Sequence, residues 1–249
     1  MKIRKKFLRF AYKLFELEPS IFDGLKKIDR FFNKSIIYKR IDKYLISAQG
    51  EINVLQIGSN DGLLNDPLRE FIVNREFNKV IFVEPIPYLY EKLKKNYRKV
   101  KGCNLIFKKG AVLDNRERIK IYSIKMSELS KYSADAAQIA SFDRNHLIKI
   151  CNENSQVEND IEEIEVECFS IASLISEIGG KLQILQIDIE GGEYYLLKEF
   201  PFHSCKPEII IYESEHLKKS ESAYLDALFK SNGYILYMDK FDTIAELIK

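Results

Sequence analysis

Apolar positions recur along this chain with two different periods. Between residues 3 and 17, Ile3, Phe7, Phe10, Ala11, Leu14 and Phe15 fall at helical spacing with Lys and Arg between them, which predicts an amphipathic helix. The helical period continues from Ile21 to Ile46 through Leu25, Ile28, Phe31, Phe32, Ile36, Ile41 and Leu45. From residue 51 the apolar positions gather into short runs. Residues 52–57 read Ile-Asn-Val-Leu-Gln-Ile and stop at Gly58, as a buried strand does. Residues 63–74 are helical, 79–84 form a second strand followed by Pro85 and Pro87, and 88–100 return to helix. A third strand starts at Asn104 and runs to about Val112. Strands alternating with helices predict βαβ units around a parallel sheet.

The alternation breaks after this point. Residues 117–124 and 164–169 show strand-like alternation, and between them lie a polar stretch with Ser127, Ser130, Ser133 and Ser141 and a helical piece over 142–150. This segment, about 115–170, reads as an insertion over one edge of the sheet. The helix–strand rhythm then resumes, with helix over 170–178, strand over 182–188, helix over 193–200 and strand over 208–213. A helix over 222–231 ends at Gly233, and Tyr234 starts a closing strand. The expected organisation is a helical N-terminal extension, 1–49, followed by one α/β domain over 50–249.

Charge sharpens that division. The chain of 249 residues has 39 basic and 37 acidic side chains, a net of only +2. Residues 1–50 hold 13 Lys/Arg against 5 Asp/Glu, and the remainder holds 26 against 32. The extension therefore suits a packed helix or a docking element for an anionic membrane surface or a partner enzyme. The acidic remainder opposes phosphate binding and a nucleic-acid substrate. With 46% hydrophobic residues the chain has ample core material, which excludes disordered and low-complexity classes. No apolar run approaches a membrane span. Cys103, Cys151, Cys168 and Cys205 form no Cys-x-x-Cys pair, which argues against zinc or iron–sulfur ligation and for reduced thiols in the cytosol. The basic start lacks the uninterrupted apolar stretch of a signal peptide. The expected location is cytoplasmic, with peripheral contact at the inner face of the membrane as the variant that the basic extension allows.

Three stretches carry chemistry. In Val54-Leu55-Gln56-Ile57-Gly58-Ser59-Asn60-Asp61-Gly62 a strand ends in glycine and a second glycine precedes a helix. Glycine permits a sharp turn and close ligand approach, and the crevice outside the carboxyl ends of the strands is where such sheets bind. Glu84 ends the next strand, where a carboxylate can accept from both hydroxyls of a ribose. The turn lacks the third glycine of a dinucleotide site, so a nucleoside-type ligand without a pyrophosphate, S-adenosylmethionine, is favoured over NAD. In Ile187-Asp188-Ile189-Glu190-Gly191-Gly192-Glu193 a buried strand delivers three carboxylates to the same edge. Asp188 and Glu190 flank the crevice, while Glu193 opens a helix, where a negative charge suits the dipole.

These stretches resemble the FkbM-type family of S-adenosylmethionine-dependent methyltransferases, over Val54–Gly62, Ile81–Pro87, Lys109–Asp114, Phe169–Ile175, Ile187–Leu197 and Pro207–Glu213. The resemblance implies a doubly wound, Rossmann-like sheet with helices on both faces and an antiparallel last strand. It implies methyl transfer, commonly to a hydroxyl of a sugar or secondary metabolite. Carried over, Gly58, Ser59, Asn60, Asp61 and Gly62 form the loop beside the methionine part of the cofactor, and Glu84 is the ribose acid. Pro85, Ile86, Ala111 and Val112 lie near the adenine, and Asp188 and Glu190 near the sulfonium. Gln56 stands where the family commonly has an acid near the cofactor's amino group. Its carbonyl oxygen still accepts, but the charge is lost.

An attacking hydroxyl must lose its proton, so a base is needed. His216, which follows the fifth strand, is the first candidate, and His146, within the insertion, is the second. His203 reads as structural. Tyr132 and Arg144 are candidates for contact with a sugar-like or anionic acceptor. Asp188, Glu190, Glu213 and His216 would suit a divalent ion if they met, but the sequence does not show that they meet, and no metal is assigned. The expected activity is O-methylation of a small-molecule or glycan acceptor, a sugar or polysaccharide precursor. The competing readings are a non-catalytic nucleoside-binding or scaffolding module, which the neutral Gln56 would suit, and an NAD-dependent oxidoreductase.

Overall fold

The computed structural model describes residues 35–63, 66–114, 116–132, 139–151, 157–239 and 241–248. The helix expected over 3–17 and most of that over 21–46 lie outside the described residues. Helix α1, Ile36–Ser47, is capped by the Ser35 side chain and buries Ile37, Ile41, Tyr44 and Leu45.

Two layers of helices sandwich a seven-stranded sheet. Its elements are β1 (Asn53–Ile57), α2 (Arg69–Asn74), β2 (Lys79–Glu84), α3 (Pro87–Tyr97) and β3 (Asn104–Lys109). The chain then makes the short strand β4 (Ala111–Val112), β5 (Arg118–Ile124), a 3-10 helix (Met126–Lys131), β6 (Ala140–Ser141), α4 (Arg144–Ile150), α5 (Val157–Asp160) and β7 (Ile161–Phe169). The rest is α6 (Ile171–Ile178), β8 (Ile184–Ile187), α7 (Glu193–Lys198), β9 (Ile209–Glu213), α8 (Lys219–Ser231), β10 (Tyr234–Met238) and β11 (Asp242–Leu247). The order across the sheet is β10-β11-β9-β8-β1-β2-β3. Strands β3, β2, β1, β8 and β9 are parallel, and the last strand, β11, is inserted antiparallel between β9 and β10. This is the Rossmann-like arrangement, with its antiparallel last strand, that the sequence implied.

Every residue of β1 is buried, because both faces are covered. Leu55 and Ile57 pack with Leu174 of α6, Leu197 of α7 and Phe229 of α8. Val54 packs on the other face with Ile41 of α1, Phe71 of α2 and Leu93 of α3. Two elements are shorter than their apolar runs suggest. Pro67 disfavours helical backbone at Asp66. The Asp66 carboxylate instead accepts from the N–H groups of Leu68 and Arg69, so the helix expected from residue 63 starts at Arg69. The strand expected over 104–112 divides at Gly110. Its first part stays in the main sheet, and Ala111–Val112 pairs with β7 instead.

Residues 111–169 contribute a second sheet of order β4-β7-β5-β6. The long antiparallel pair runs from Arg118↔Glu167 to Ile124↔Ile161. It carries its own small core, with Ile124, Tyr132, Leu147 and Ile161 buried together. None of the four cysteines forms a disulfide. No helix among the described residues is long and apolar enough to cross a membrane.

Candidate active site

An open cavity lies outside the carboxyl ends of the central strands, where β1 and β8 are neighbours and the second sheet closes over them. Its walls include Gln56, Gly58, Ser59, Asn60, Glu84, Pro85, Ile86, Ala111, Val112, Asp188 and Glu190, all singled out in the sequence. Gly110, Ile121, Ile139, Ala140, Ser141, Phe142, Gln186 and Ile189 complete most of the remainder. These were not singled out, because most of them reach the cavity through the second sheet, whose placement is a long-range matter. Gln186 did leave a signal. Like Gln56, it is a polar residue inside an otherwise apolar buried strand.

The glycine loop is built by interlocking hydrogen bonds. Gly58 has φ +74, and a Cβ there would stand 1.7 Å from the Asp188 carbonyl oxygen. The turn thus needs glycine for both conformation and room. Asn60 holds φ 51, unusual for a non-glycine residue. Its N–H donates to Glu84 Oε2 at 2.7 Å and its Oδ1 accepts from the Asp61 N–H at 2.7 Å. Asp61 and Gly62 do not reach the cavity wall. Asp61 Oδ1 accepts from the Leu63 N–H and its carbonyl accepts from Asn96 Nδ2. At Gly62, φ is +65, a Cβ would meet Leu93 and Tyr97 of α3 at 2.5 Å, and the carbonyl accepts from the buried Arg69 guanidinium. Both residues shape the back of the loop, since its second half is packed on α3.

Glu84 is 3% exposed. Besides Asn60, the Ile86 N–H donates to its Oε1 at 2.8 Å. Burial pushes its carboxyl up to about 7, against the opposing pull of those two N–H donors. On the floor of the cavity, Gln56 and Gln186 are register partners on β1 and β8. Both side chains are buried, and both Oε1 atoms lack a hydrogen-bond partner.

The acids of β8 and β9 meet because Ile187 pairs with Tyr212, so Asp188 and Glu213 leave adjacent strands side by side. Burial first, then Glu190 and the neighbouring acids, hold the Asp188 carboxyl well above the usual carboxylate range. Burial, then Glu193, takes Glu190 up to about 7, and burial, then Asp188, takes Glu213 up to about 9. Glu190 holds φ 56. Glu193 is fully engaged in shaping this turn, accepting from the N–H groups of Ile189 at 2.7 Å and Gly191 at 2.9 Å.

Neither His216 nor His146 is on the cavity wall. They meet each other instead, ring centroids 5.8 Å apart and nearly perpendicular. His216 Nε2 lies 3.8 Å from Glu213 Oε1. Burial, then His216, lowers the His146 pKa. Ligand-type atoms of Glu190, Glu213 and His216 lie within 4.8 Å of one another, as do those of Asp188, Glu193 and Glu213. The four residues that the sequence offered for an ion do not meet as one set; Glu213 alone is common to both groups. Tyr132 is buried and donates to Asp160 Oδ2 at 2.8 Å. Arg144 donates to the Glu158 carbonyl, and His203 is exposed, away from the cavity.

The methyltransferase FkbM domain family matches this chain over residues 56–236. No curated protein matches it. Solved structures similar to it include an rRNA methylase from Streptococcus thermophilus, at 10% identity and TM-score 0.44 over 87% of this chain and 99% of that one. A precorrin-6y C5,15-methyltransferase from Geobacter metallireducens matches at 9% identity and TM-score 0.40, over 81% and 83%. The N-terminal domain of human METTL16 in complex with SAH matches at 10% identity and TM-score 0.42, over 86% and 68%.

Proposed function

We propose that this chain, which belongs to the FkbM methyltransferase family, methylates a hydroxyl of a sugar or polysaccharide precursor with S-adenosylmethionine. The observation that carries the cofactor is the placement of Glu84. It ends β2 on the cavity wall and is tied to the β1 loop by Asn60. Each carboxylate oxygen already takes one N–H and keeps a lone pair for a ribose hydroxyl. The apolar side chains of Ile86, Ala111 and Val112 suit the adenine. The paired, partnerless amide oxygens of Gln56 and Gln186 suit an ammonium donor. When bound, S-adenosylmethionine supplies an electrophilic methyl group.

This chain's own residues align and deprotonate the acceptor. Asp188 is on the cavity wall, and burial and its acid neighbours make its carboxylate a stronger base than usual. It takes the proton of the acceptor hydroxyl, replacing His216, which is off the wall. Ser141 and the 43% exposed ring of Phe142 line the same cavity from the second sheet, and a hydroxyl beside an aromatic face suits a sugar. The basic extension is proposed as a docking element for an anionic membrane face or a partner enzyme.

Calorimetric titration with S-adenosylmethionine and S-adenosylhomocysteine tests the cofactor, with Glu84→Ala as control. Transfer of labelled methyl to a panel of sugars and nucleotide sugars tests the acceptor. Binding lost in the variant supports the reading; a folded protein that binds neither compound overturns it.

A further inference from the structure

Strand β10 is the outer strand of the seven-stranded sheet and pairs only with β11 among the described residues. Its ladder has a definite parity. The Ile248 N–H donates to the Gly233 carbonyl at 2.9 Å, and the Asp239 N–H to the Asp242 carbonyl at 2.8 Å. In an antiparallel pair, hydrogen-bonded rows alternate with rows that are not. Ile235 and Tyr237 therefore turn their main-chain groups toward β11, and the N–H and C=O groups of Tyr234, Leu236 and Met238 point out of the sheet. These outward groups have no main-chain partner among the described residues. Sheet edges are ordinarily guarded by charge, proline or a bulge. The opposite edge follows that rule, since β3 carries Lys108 and Lys109. Residues 234–238 read Tyr-Ile-Leu-Tyr-Met, with no charge, no proline and an unbroken register. Met238 is 77% exposed and Ile235 46%, and the exposed Ile248 borders the same groove as Ile235.

We infer that β10 pairs with β10 of a second copy of this chain, antiparallel and centred on Leu236. The parity of the ladder fits that seam. A twofold axis at Leu236 sets Leu236 opposite itself and Tyr234 opposite Met238, and the main-chain groups of all these rows point outward. Together the two copies close about six hydrogen bonds, two for each such row. In the rows between, Ile235 falls opposite Tyr237. Opposed side chains stand closest in such rows, and an aromatic facing a β-branched residue is a favoured cross-strand pair. Asp239, the first acid beyond the strand, falls opposite Gly233, so no like charges meet. The groove behind the strand balances Arg40 and Lys43 against Glu208 and Glu246, and Arg40, which stacks on Tyr237, is paired with Glu246 at 3.1 Å. An isologous contact requires a patch that matches itself, and each row of this one does. That self-complementarity selects a second copy over a strand of unrelated sequence. Strands β11 and β9 separate the seam from β8 and the cavity, so the inference does not depend on the methyl-transfer reading.

Sedimentation velocity on the full chain, from about 1 to about 100 μM, measures the assembly over the range of a micromolar dimer. At the upper end the expected mass is twice the 29.1 kDa of one chain. Hydrogen exchange over the same range, read by mass spectrometry on the peptide spanning 234–238, identifies the strand. Its outward amides are expected to slow at least about tenfold as the dimer forms, while a peptide spanning β3 stays unchanged. Met238→Lys sets a repelled charge in the seam at an exposed position, and Met238→Pro removes an outward donor without touching the β11 ladder. Each is expected to weaken the dimer at least about tenfold and, when dilute, to melt no lower than the wild type. Met126→Lys, in the exposed 3-10 helix residue at 69%, is the control and should assemble as the wild type does. A wild type that is monomeric at the upper concentration overturns the inference and leaves the edge to a strand of another protein. A dimer without protection at 234–238, or one that both Met238 variants preserve, overturns it as well and moves the contact elsewhere on the chain.

Discussion

The backbone N–H of Asn60 donates to Glu84 Oε2 at 2.7 Å, so the loop that ends β1 is pinned by the acid that ends β2. One carboxylate thus shapes the loop and faces the cavity. Glu84→Ala leaves the buried Ile86 N–H and the part-buried Asn60 N–H without their acceptor, at about 1–3 kcal/mol for the buried one. The melting temperature should fall, and affinity for S-adenosylmethionine should fall at least about tenfold, one hydrogen bond to a charged group. Differential scanning and titration calorimetry measure the two effects. An unchanged affinity would remove Glu84 from the cofactor site.

The same group sets a pH dependence. Its folded pKa of about 7 is above the ordinary 4.5. Between those values the folded state holds a proton that the unfolded chain has lost. The stability of the ligand-free protein therefore falls as pH rises through that window, by up to about 1.4 kcal/mol per pH unit from this group. A ribose hydroxyl donates to the ionised form, so cofactor affinity should instead rise as pH passes through 7. Glu84→Gln should remove the rise in affinity and make the fall in stability shallower, leaving the share of Glu190, Glu213 and Asp242, which melts and titrations at about pH 5, 6, 7 and 8 would show.

Gly58→Ala should be among the most damaging single changes. Its Cβ would stand 1.7 Å from the Asp188 carbonyl oxygen, at φ +74, and neither β1 nor β8 can yield without shearing the sheet. A loss of about 3 kcal/mol or more is expected. Gly179→Ala is the control. It also has positive φ, but a Cβ there meets nothing within 4 Å, so it should lose only about 1 kcal/mol. Equal melting temperatures for the two variants would contradict the packing described.

Asp188→Asn keeps the shape of the side chain and removes its basicity. If Asp188 takes the acceptor proton, kcat should fall about 10²–10⁴-fold. Affinity for S-adenosylhomocysteine, which has no sulfonium charge to lose, should stay as it was. A full-rate Asp188→Asn enzyme with a defective His216→Ala counterpart would return the base to the histidine.

Much of this protein was legible in one dimension. The apolar runs ending at Gly58, Glu84 and Asp188 are β1, β2 and β8, because strands buried on both faces are apolar at most positions, and that requirement is local. The stop signals are local too, since a positive-φ turn or a strand-end acid is marked by residue type. The carboxylates of the cavity were found for that reason. Asp61 and Gly62 belong to that loop, but their packing on α3, which no local pattern records, takes them off the cavity wall. Tertiary structure alone decided that β8 and β9 are neighbours, so that Glu213 and His216 join Asp188 and Glu190. It also decided that His146, 70 residues before His216 in the chain, lies against it, and that Ile139–Phe142 reach the cavity. Periodicity records which face of an element is buried. Which elements become neighbours is settled by how those faces pack together, and that information is spread over the whole chain.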